Sequence, residues 1–593
     1  MRTLNQLVDE IVNTDVLVIG SGATGMRAAI DAAKKGVTVT LANKGYFGKS
    51  GSTLVADADI AIDSASAVNL FNLPGSAEDN PELFFEDIII EGEYLNNQRL
   101  VEIHTSEAPY RLKQLVEWGA KIKKLMKSPG HRYPRGVWIL GSEINRVLKK
   151  ELKKNKNINI FEHLMILDLV IEEENKQLLG AIGLSLGKGE FCFFKTKAVI
   201  LCAGGAMRLY SSTTAPEELT GDGLAMAYRA GVELVDMEFP MFLPYTMISP
   251  QALKGSIFPY DLSAYFEAEA LNVKGERYMK KWDPERLEKS TRDINSVAAA
   301  IEILEGRGTP RGGTYLLLKG VKDDLISYSK ECLPDIQFNN WKYGGFNLKK
   351  FLPNLTEEAL ETAPACHFWN GGIKINGKCE TNIRGLYAAG EVTGGIHGAN
   401  RISGNAMIET QVWGARSGKY AALFARANKY TPKILNRRVE ELVKKYLCPL
   451  EKKEGLNPIE VRKKIRKIAG DKVGIVRKGK LLREAIEEID RLKKEVQNQT
   501  LSFKVRTYNK EWIESLQNLN LIQVLEMTTR TSLWRTESRG ALYRTDFPKT
   551  NNKEWLKNIL IKNIKNKMSL NTKDVIITTL IPPKTIREYG RKR

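Results

Sequence analysis

The chain has 593 residues, enough for several domains and a large core. Its hydrophobic fraction of 42% is ordinary for a globular protein, and no run of about twenty apolar residues occurs, so no membrane span is expected. Lys and Arg number 90 against 70 Asp and Glu, a net charge of +20, yet no nucleic-acid recognition module accompanies the excess, which argues against nucleic acid as a partner.

The N-terminal segment Met1–Asn13 carries Asp9 and Glu10 and no apolar stretch of the signal-peptide kind, so a cytoplasmic location is expected. From Thr14 to Tyr46 the sequence reads TDVLVIGSGATGMRAAIDAAKKGVTVTLANKGY. An apolar run, Val16–Ile19, meets Gly20, Gly22 and Gly25, then a helical stretch, then a second apolar run over Val37–Leu41. This pattern predicts a strand, a tight turn, a helix and a parallel strand. Gly20 tightens the turn, Gly22 lets the backbone approach a pyrophosphate, and Gly25 lets the helix pack on the strand. The helix start at Ala23 then faces the phosphates. Where the second strand should end in an acid for a ribose hydroxyl, this chain has Asn43 and Lys44, and Asn43 can still hydrogen-bond a ribose. The loop that follows, with Ser50, Gly51, Ser52 and Thr53, is suited to wrapping a cofactor.

Further along, Lys197–Gly205 reads as a buried strand ending in a Gly-Gly turn, which brings Ala203 and Gly204 back to the cofactor. Residues 239–355 are richer in aromatics and prolines. Ser403–Glu409, SGNAMIE, reads as a helix start whose dipole and free N–H groups, at Asn405, Ala406 and Met407, suit a negatively charged group. Residues 431–535 show apolar spacings of three and four, which predict helices. The six cysteines include no CxxC pair, so an intrinsic iron–sulfur or zinc site is not expected. Residues 427–593 hold 40 Lys+Arg and 19 Asp+Glu, a net of +21, whereas residues 1–426 hold 50 and 51, a net of −1. A solvated helical surface and a docking face for an acidic protein or an anionic membrane both fit this split.

The motifs KAVILCAGGAMRLY (197–210), LTGDGLAMAYRAG (219–231), STRDINSVAAAIEILEGRG (290–308), HFWNGGIKI (367–375), GLYAAGEVTGGIHGANRISGNAMIE (385–409) and RTESRGALYRTDFP (535–548) give the chain a specific likeness. It resembles the flavoprotein subunits of the succinate dehydrogenase and fumarate reductase family, with L-aspartate oxidase and adenylylsulfate reductase as relatives. The resemblance implies an α/β fold: a Rossmann-like FAD-binding domain with an inserted α+β capping domain and a C-terminal helical domain. The boundaries expected are 1–238 and 356–430 for the FAD-binding domain, 239–355 for the cap, 431–535 for the helical domain and 536–593 for a basic extension. It also implies FAD as cofactor, with Asp222 and Glu391 near it. The expected partners are a small anionic substrate, an iron–sulfur or other electron-carrier subunit, and peripheral contact with the inner face of a membrane through the basic region.

By the same resemblance His367 and Arg401 hold a substrate carboxylate, a task suited to the planar guanidinium fork. His397 supports Arg401 or the flavin, and Arg292 makes a structural ion pair. Three departures stand out. The first histidine of the chain is His104, so the histidine that carries covalent flavin elsewhere in the family is absent, and FAD is expected to be non-covalent. Leu243 stands where the family has a carboxylate-binding histidine. Ala264 stands near the position of the proton-transfer arginine, and no arginine lies between Arg229 and Arg277. Fumarate reduction by the family's route is therefore not expected, and His131, Arg132, Arg135, Tyr245, Tyr260 and Tyr265 are the neighbouring groups that could substitute. The reading is an FAD-dependent oxidoreductase with an altered substrate site. Its rivals are a true succinate dehydrogenase or fumarate reductase, an L-aspartate oxidase, an adenylylsulfate reductase-like enzyme, and a non-catalytic electron-relay flavoprotein.

Overall fold

A computed structural model describes residues 3–56, 59–257, 260, 263, 268–318, 358–428, 434 and 436–584. Its centre is a seven-stranded sheet. Six strands run in the order β3-β2-β1-β6-β5-β4, where β1 is Glu10–Ile19, β2 Val39–Ala42, β3 Ile158–Phe161, β4 Leu164–Glu172, β5 Gln177–Ser185 and β6 Phe191–Leu201. The seventh, Leu386–Ala388, pairs in parallel with β6. The strands β3, β2, β1 and β6 are mutually parallel, while β5 pairs antiparallel with both β6 and β4. Val16–Ile19 is buried at every position, because layers cover both faces of the sheet there.

Helix α1 (Ala23–Ala33) follows β1 directly. A Cβ on Gly25 would lie 1.8 Å from the Gly20 carbonyl oxygen, so only glycine lets α1 start this close to the turn. The alanine-rich face of α1 packs on the helix Asn405–Ala427. A Cβ on Gly414 would sit 2.8 Å from the Thr24 oxygen, and one on Gly418 would sit 2.2 Å from the Ala28 oxygen. The two helices therefore meet backbone to backbone. Both N-termini open onto the same cavity.

The cap holds a four-stranded antiparallel sheet formed by Pro240–Met247, Leu360–Trp369, Thr314–Leu317 and Glu269–Leu271, in that order. The helix Arg292–Glu302 lies against it, and together they enclose a separate core that includes Tyr245, Met279 and Leu316. Ala264 and Tyr265 lie outside the described residues.

The helical region is built from Asn436–Glu451, Pro458–Lys472, Gly479–Gln497 and Lys510–Trp534. The apolar spacing continues from Lys463 to Val496, yet the helix breaks at 473–478. There Arg477 is buried and its Nη1 donates to the Glu238 oxygen at 2.7 Å and to Ser532 Oγ at 2.6 Å. Val476–Arg477 pairs with Tyr543–Arg544, so tertiary pairing overrides the local period. The basic tail forms a hairpin, Lys557–Ile564 with Lys567–Asp574, that joins Leu234–Val235 in a five-stranded sheet. No helix among the described residues is long and apolar enough to cross a membrane.

Candidate active site

One continuous cavity runs from the glycine turn to the cap. At one end the turn after β1 is held by Gly20 at φ +103, where a Cβ would fall 2.3 Å from the Cys202 oxygen. Gly22 is different. A Cβ there would meet only Thr53 Oγ1, at 3.5 Å, so the position faces open space in the cavity. Thr53 Oγ1 in turn accepts from the Ala23 N–H at 2.9 Å and fixes the loop to the helix start.

Gly20, Gly22, Ala23, Asn43, Lys44, Ser50, Gly51, Ser52, Thr53, Ala203, Gly204, Asp222, Glu391, Ala406 and Met407 all line the cavity. Asn43 Nδ2 donates to Ser50 Oγ at 3.4 Å. Lys44 is tied to Asp222 at 2.6 Å, and also donates to the Glu218 carbonyl and Thr220 Oγ1. Loss of water alone would raise the Asp222 carboxyl, but Lys44 together with hydrogen bonds from Asn520 and Thr220 holds the group below its ordinary range. Glu391 Oε1 accepts from the Trp369 N–H at 3.2 Å. Removal from water raises its carboxyl, against the lowering effect of the Gly205 and Trp369 N–H groups. The helix Asn405–Ala427 begins at Gly404 with no side-chain cap and no acid in its first turn, leaving its positive end toward the cavity.

Gly25, Asn405 and His397 are not on the cavity wall. Gly25 serves the helix–turn contact. His397 lies behind the wall, with Nε2 at 2.9 Å from Glu409 Oε2 and its ring 5.2 Å from that of Phe368. Burial pushes the Glu409 carboxyl up to about 8 and the His397 imidazole well below its ordinary range, so both favour their neutral forms.

At the other end of the cavity stand His367, Arg401, Arg292, Tyr260, Thr214, Ser403, Asp59, Leu243 and Ile257. His367 Nδ1 lies 2.8 Å from Thr214 Oγ1. Loss of water, then the charges of Arg401 and Arg292, holds this imidazole well below its ordinary range. Arg401 is 5% exposed, and its guanidinium rests 4.7 Å above the Phe368 ring. Its Nη1 donates to the Ile402 oxygen, while Nε has no partner. A buried donor left unmatched costs about 1–3 kcal/mol, so this geometry favours a bound acceptor.

Arg292 differs from its expected role. It makes no ion pair with any described residue. Its Nε donates to the Tyr260 hydroxyl at 3.0 Å and its Nη2 to Ser403 Oγ at 3.0 Å, both within the cavity wall. Tyr245, by contrast, is buried in the cap core and donates to Asn295 Oδ1. His131 sits behind the Ser403 carbonyl at 3.0 Å. Arg132 and Arg135 are engaged by Glu86, Asp87 and Asp79. These three residues are not on the wall, and Tyr260 is the candidate substitute that the structure places there.

A glycine cradle on a helix N-terminus, joined to a second uncapped helix and a cationic pocket under a cap, defines a flavin-dependent oxidoreductase of the two-domain α/β type. Comparison with known proteins agrees. The FAD binding domain model matches residues 15–407, and the fumarate reductase flavoprotein C-terminal model matches residues 462–589. The chain is 35% identical over 572 residues to an uncharacterized FAD-dependent oxidoreductase of Methanocaldococcus jannaschii, covering 93% of this chain and 97% of that protein. It is 34% identical over 571 residues to a component of the fumarate reductase (CoM/CoB) of Methanothermobacter marburgensis, again covering 93% and 97%. Among solved structures it superposes on a chain of the Mycobacterium smegmatis Sdh1 complex with a TM-score of 0.83 at 29% identity, covering 96% of this chain and 95% of that one. The chain therefore belongs to the succinate dehydrogenase and fumarate reductase flavoprotein family, and its cofactor is FAD.

The residues present fit that cofactor. The open side of Gly22 admits a pyrophosphate, and the positive end of Asn405–Ala427 suits the flavin. When bound in this cavity, FAD would supply two-electron chemistry.

Proposed function

We propose that this oxidoreductase moves two electrons between its flavin and a small anionic organic substrate held by Arg401 and His367. The observation that carries the reading is Arg401: a buried guanidinium with an unmatched Nε on the wall of the cofactor cavity. Arg401 binds and orients the anion, neutral His367 adds a hydrogen bond, and the cap residues Leu243 and Ile257 keep water from that end. The chain's own group for proton transfer is Tyr260. Its hydroxyl accepts from Arg292 Nε, which leaves the phenolic proton for the substrate and places a positive charge beside the oxygen that loses it.

Electrons then pass to or from a separate carrier protein, because the chain has no CxxC pair of cysteines. The basic C-terminal quarter is the docking region for that partner or for an anionic membrane. At its most basic run, Lys463, Lys464 and Lys467 pair with Glu460, Glu495 and Asp471, and Arg466 donates to the Arg208 oxygen. The field available for docking is therefore weaker there than the count of lysines implies.

A second reading, fumarate reduction proper, is favoured by the relatedness to the fumarate reductase (CoM/CoB) of Methanothermobacter marburgensis. The test is anaerobic. The oxidised protein is mixed with succinate and a panel of other small hydroxy, amino and saturated acids, and the dithionite-reduced protein with fumarate and other unsaturated acids. Bleaching or reoxidation by one acid identifies substrate and direction, and rapid response to succinate or fumarate selects the second reading. A flavin indifferent to every acid leaves a non-catalytic relay.

A further inference from the structure

The wall that carries Arg401 also carries an acid that the resemblance does not assign. Asp59 opens the short strand Asp59–Ala61, which pairs antiparallel with Gly136–Trp138. The Ala61 N–H donates to the Gly404 oxygen at 3.3 Å, and a Cβ on Gly404 would lie 2.7 Å from that of Ala61. The strand is thus pinned against the start of Asn405–Ala427, and Asp59 stands at the same end of the cavity as Arg401 and His367.

Asp59 is half-buried, and its Oδ2 accepts from Ser128 Oγ at 3.1 Å. Its Oδ1 accepts from no described residue, and no Lys or Arg among the described residues forms an ion pair with it. Its charge nevertheless reaches the guanidinium: burial and the charge of Arg292 lower Arg401, and Asp59 acts against both. A carboxylate that acts on a guanidinium without touching it leaves the space between them for a ligand. Two positive charges and one negative line this end of the cavity, and His367 is neutral, so the wall matches a ligand with a single negative charge. A carboxylate belongs against Arg401. Beside Asp59, an N–H or O–H donor gains a charge-assisted hydrogen bond, whereas a second carboxylate is repelled. Leu243 offers that second carboxylate no donor either.

We propose that Asp59 sets the choice of substrate: it selects a monocarboxylate that bears an amino or hydroxyl group, and it excludes dicarboxylates. This rests on the reading of the cavity as an anionic substrate site. Selectivity comes from rejection as well as attraction, because it is a difference between two affinities.

The test uses FAD-loaded protein with acetate, glycolate, glycine and malonate as probes, read by perturbation of the flavin absorbance. In the wild type glycolate or glycine should bind at least about tenfold more tightly than acetate and malonate, and the tighter of the two tells hydroxyl from amine. Asp59→Asn should tighten malonate about tenfold or more, tighten acetate less, and erase most of the advantage of glycolate or glycine over acetate. If Asp59→Asn fails to retain FAD, the wild-type order still decides, and Asp59→Ala repeats the comparison with a smaller side chain. Malonate bound by the wild type as tightly as glycolate and glycine, or an Asp59 variant that keeps the wild-type order, overturns the assignment. Acetate binding in the same experiment then leaves the anionic site standing. Failure of every probe to perturb the wild-type flavin overturns the assignment and the site reading together.

Discussion

Gly22→Val separates cofactor binding from folding more cleanly than any other substitution in the glycine turn. Gly22 has φ −65 and ψ −176, backbone that any residue adopts, and an added Cβ meets only Thr53 Oγ1 at an ordinary contact of 3.5 Å. The protein itself has room for the side chain. The one local cost is at the helix N-cap, where valine is worse than glycine by roughly 1 kcal/mol. The side chain instead fills the space through which a pyrophosphate reaches the helix N-terminus. Losing two charge-assisted backbone hydrogen bonds at about 1.5–3 kcal/mol each weakens FAD by about 10²- to 10⁴-fold. Urea unfolding of the apoprotein and titration with FAD measure the two quantities separately. Gly20→Ala is the contrasting control, because its Cβ would lie 2.3 Å from the Cys202 oxygen at φ +103 and should damage the fold itself. A Gly22→Val protein that binds FAD like the wild type would refute the reasoning, and so would one whose apoprotein is as damaged as Gly20→Ala.

Acid precipitation should release all the yellow cofactor into the supernatant, since no histidine precedes His104; fluorescence that stays with the polypeptide contradicts this. Tyr260→Phe should slow the chemical step about 10²- to 10⁴-fold with the eventual substrate while leaving acetate binding intact, and an unchanged single-turnover rate removes Tyr260 from proton transfer. Glu409 supplies a pH signature. Its carboxyl titrates at 4.5 when unperturbed and at about 8 in the fold, so the folded apoprotein keeps a proton the unfolded chain has released. That contribution is complete below about 4.5 and is lost as pH rises toward 8. Glu409→Gln should flatten this part of the stability profile, and a variant with the wild-type slope excludes Glu409 as its source.

What the sequence makes legible here is local. Gly20, Gly22 and Gly25 announce their roles because a strand, a turn and a helix are contiguous, and Gly25 answers a contact with Gly20 in the same turn, whereas the approach of Cys202 to Gly20 comes from a distant strand. The start of the helix at Asn405 is visible for the same reason. Arg292 is not, because its partners Tyr260 and Ser403 lie 32 and 111 residues away and only the closed cap brings them together. A buried arginine beside an aspartate, as in Ser290-Thr291-Arg292-Asp293, reads naturally as an ion pair, yet Arg292 Nε points to a phenol instead. The hairpin at 557–574 is invisible in the same way, since its sheet partner is Leu234–Val235. The helix break before Gly479 escapes the apolar period because the buried Arg477 finds its acceptors in Glu238 and Ser532.

The contact through Gly414 and Gly418 has a consequence for how this protein can change over time. With main chain pressed on main chain, neither helix can slide or tilt without a collision, so the span between the two helix ends is as fixed as a gauge block. A cofactor must match that span or lose one end of its grip. Adaptation to a new reactant has to be made elsewhere, on walls such as Leu243, Tyr260 and Arg292 that the gauge does not touch. The molecule thus keeps its reagent constant and leaves its customer negotiable.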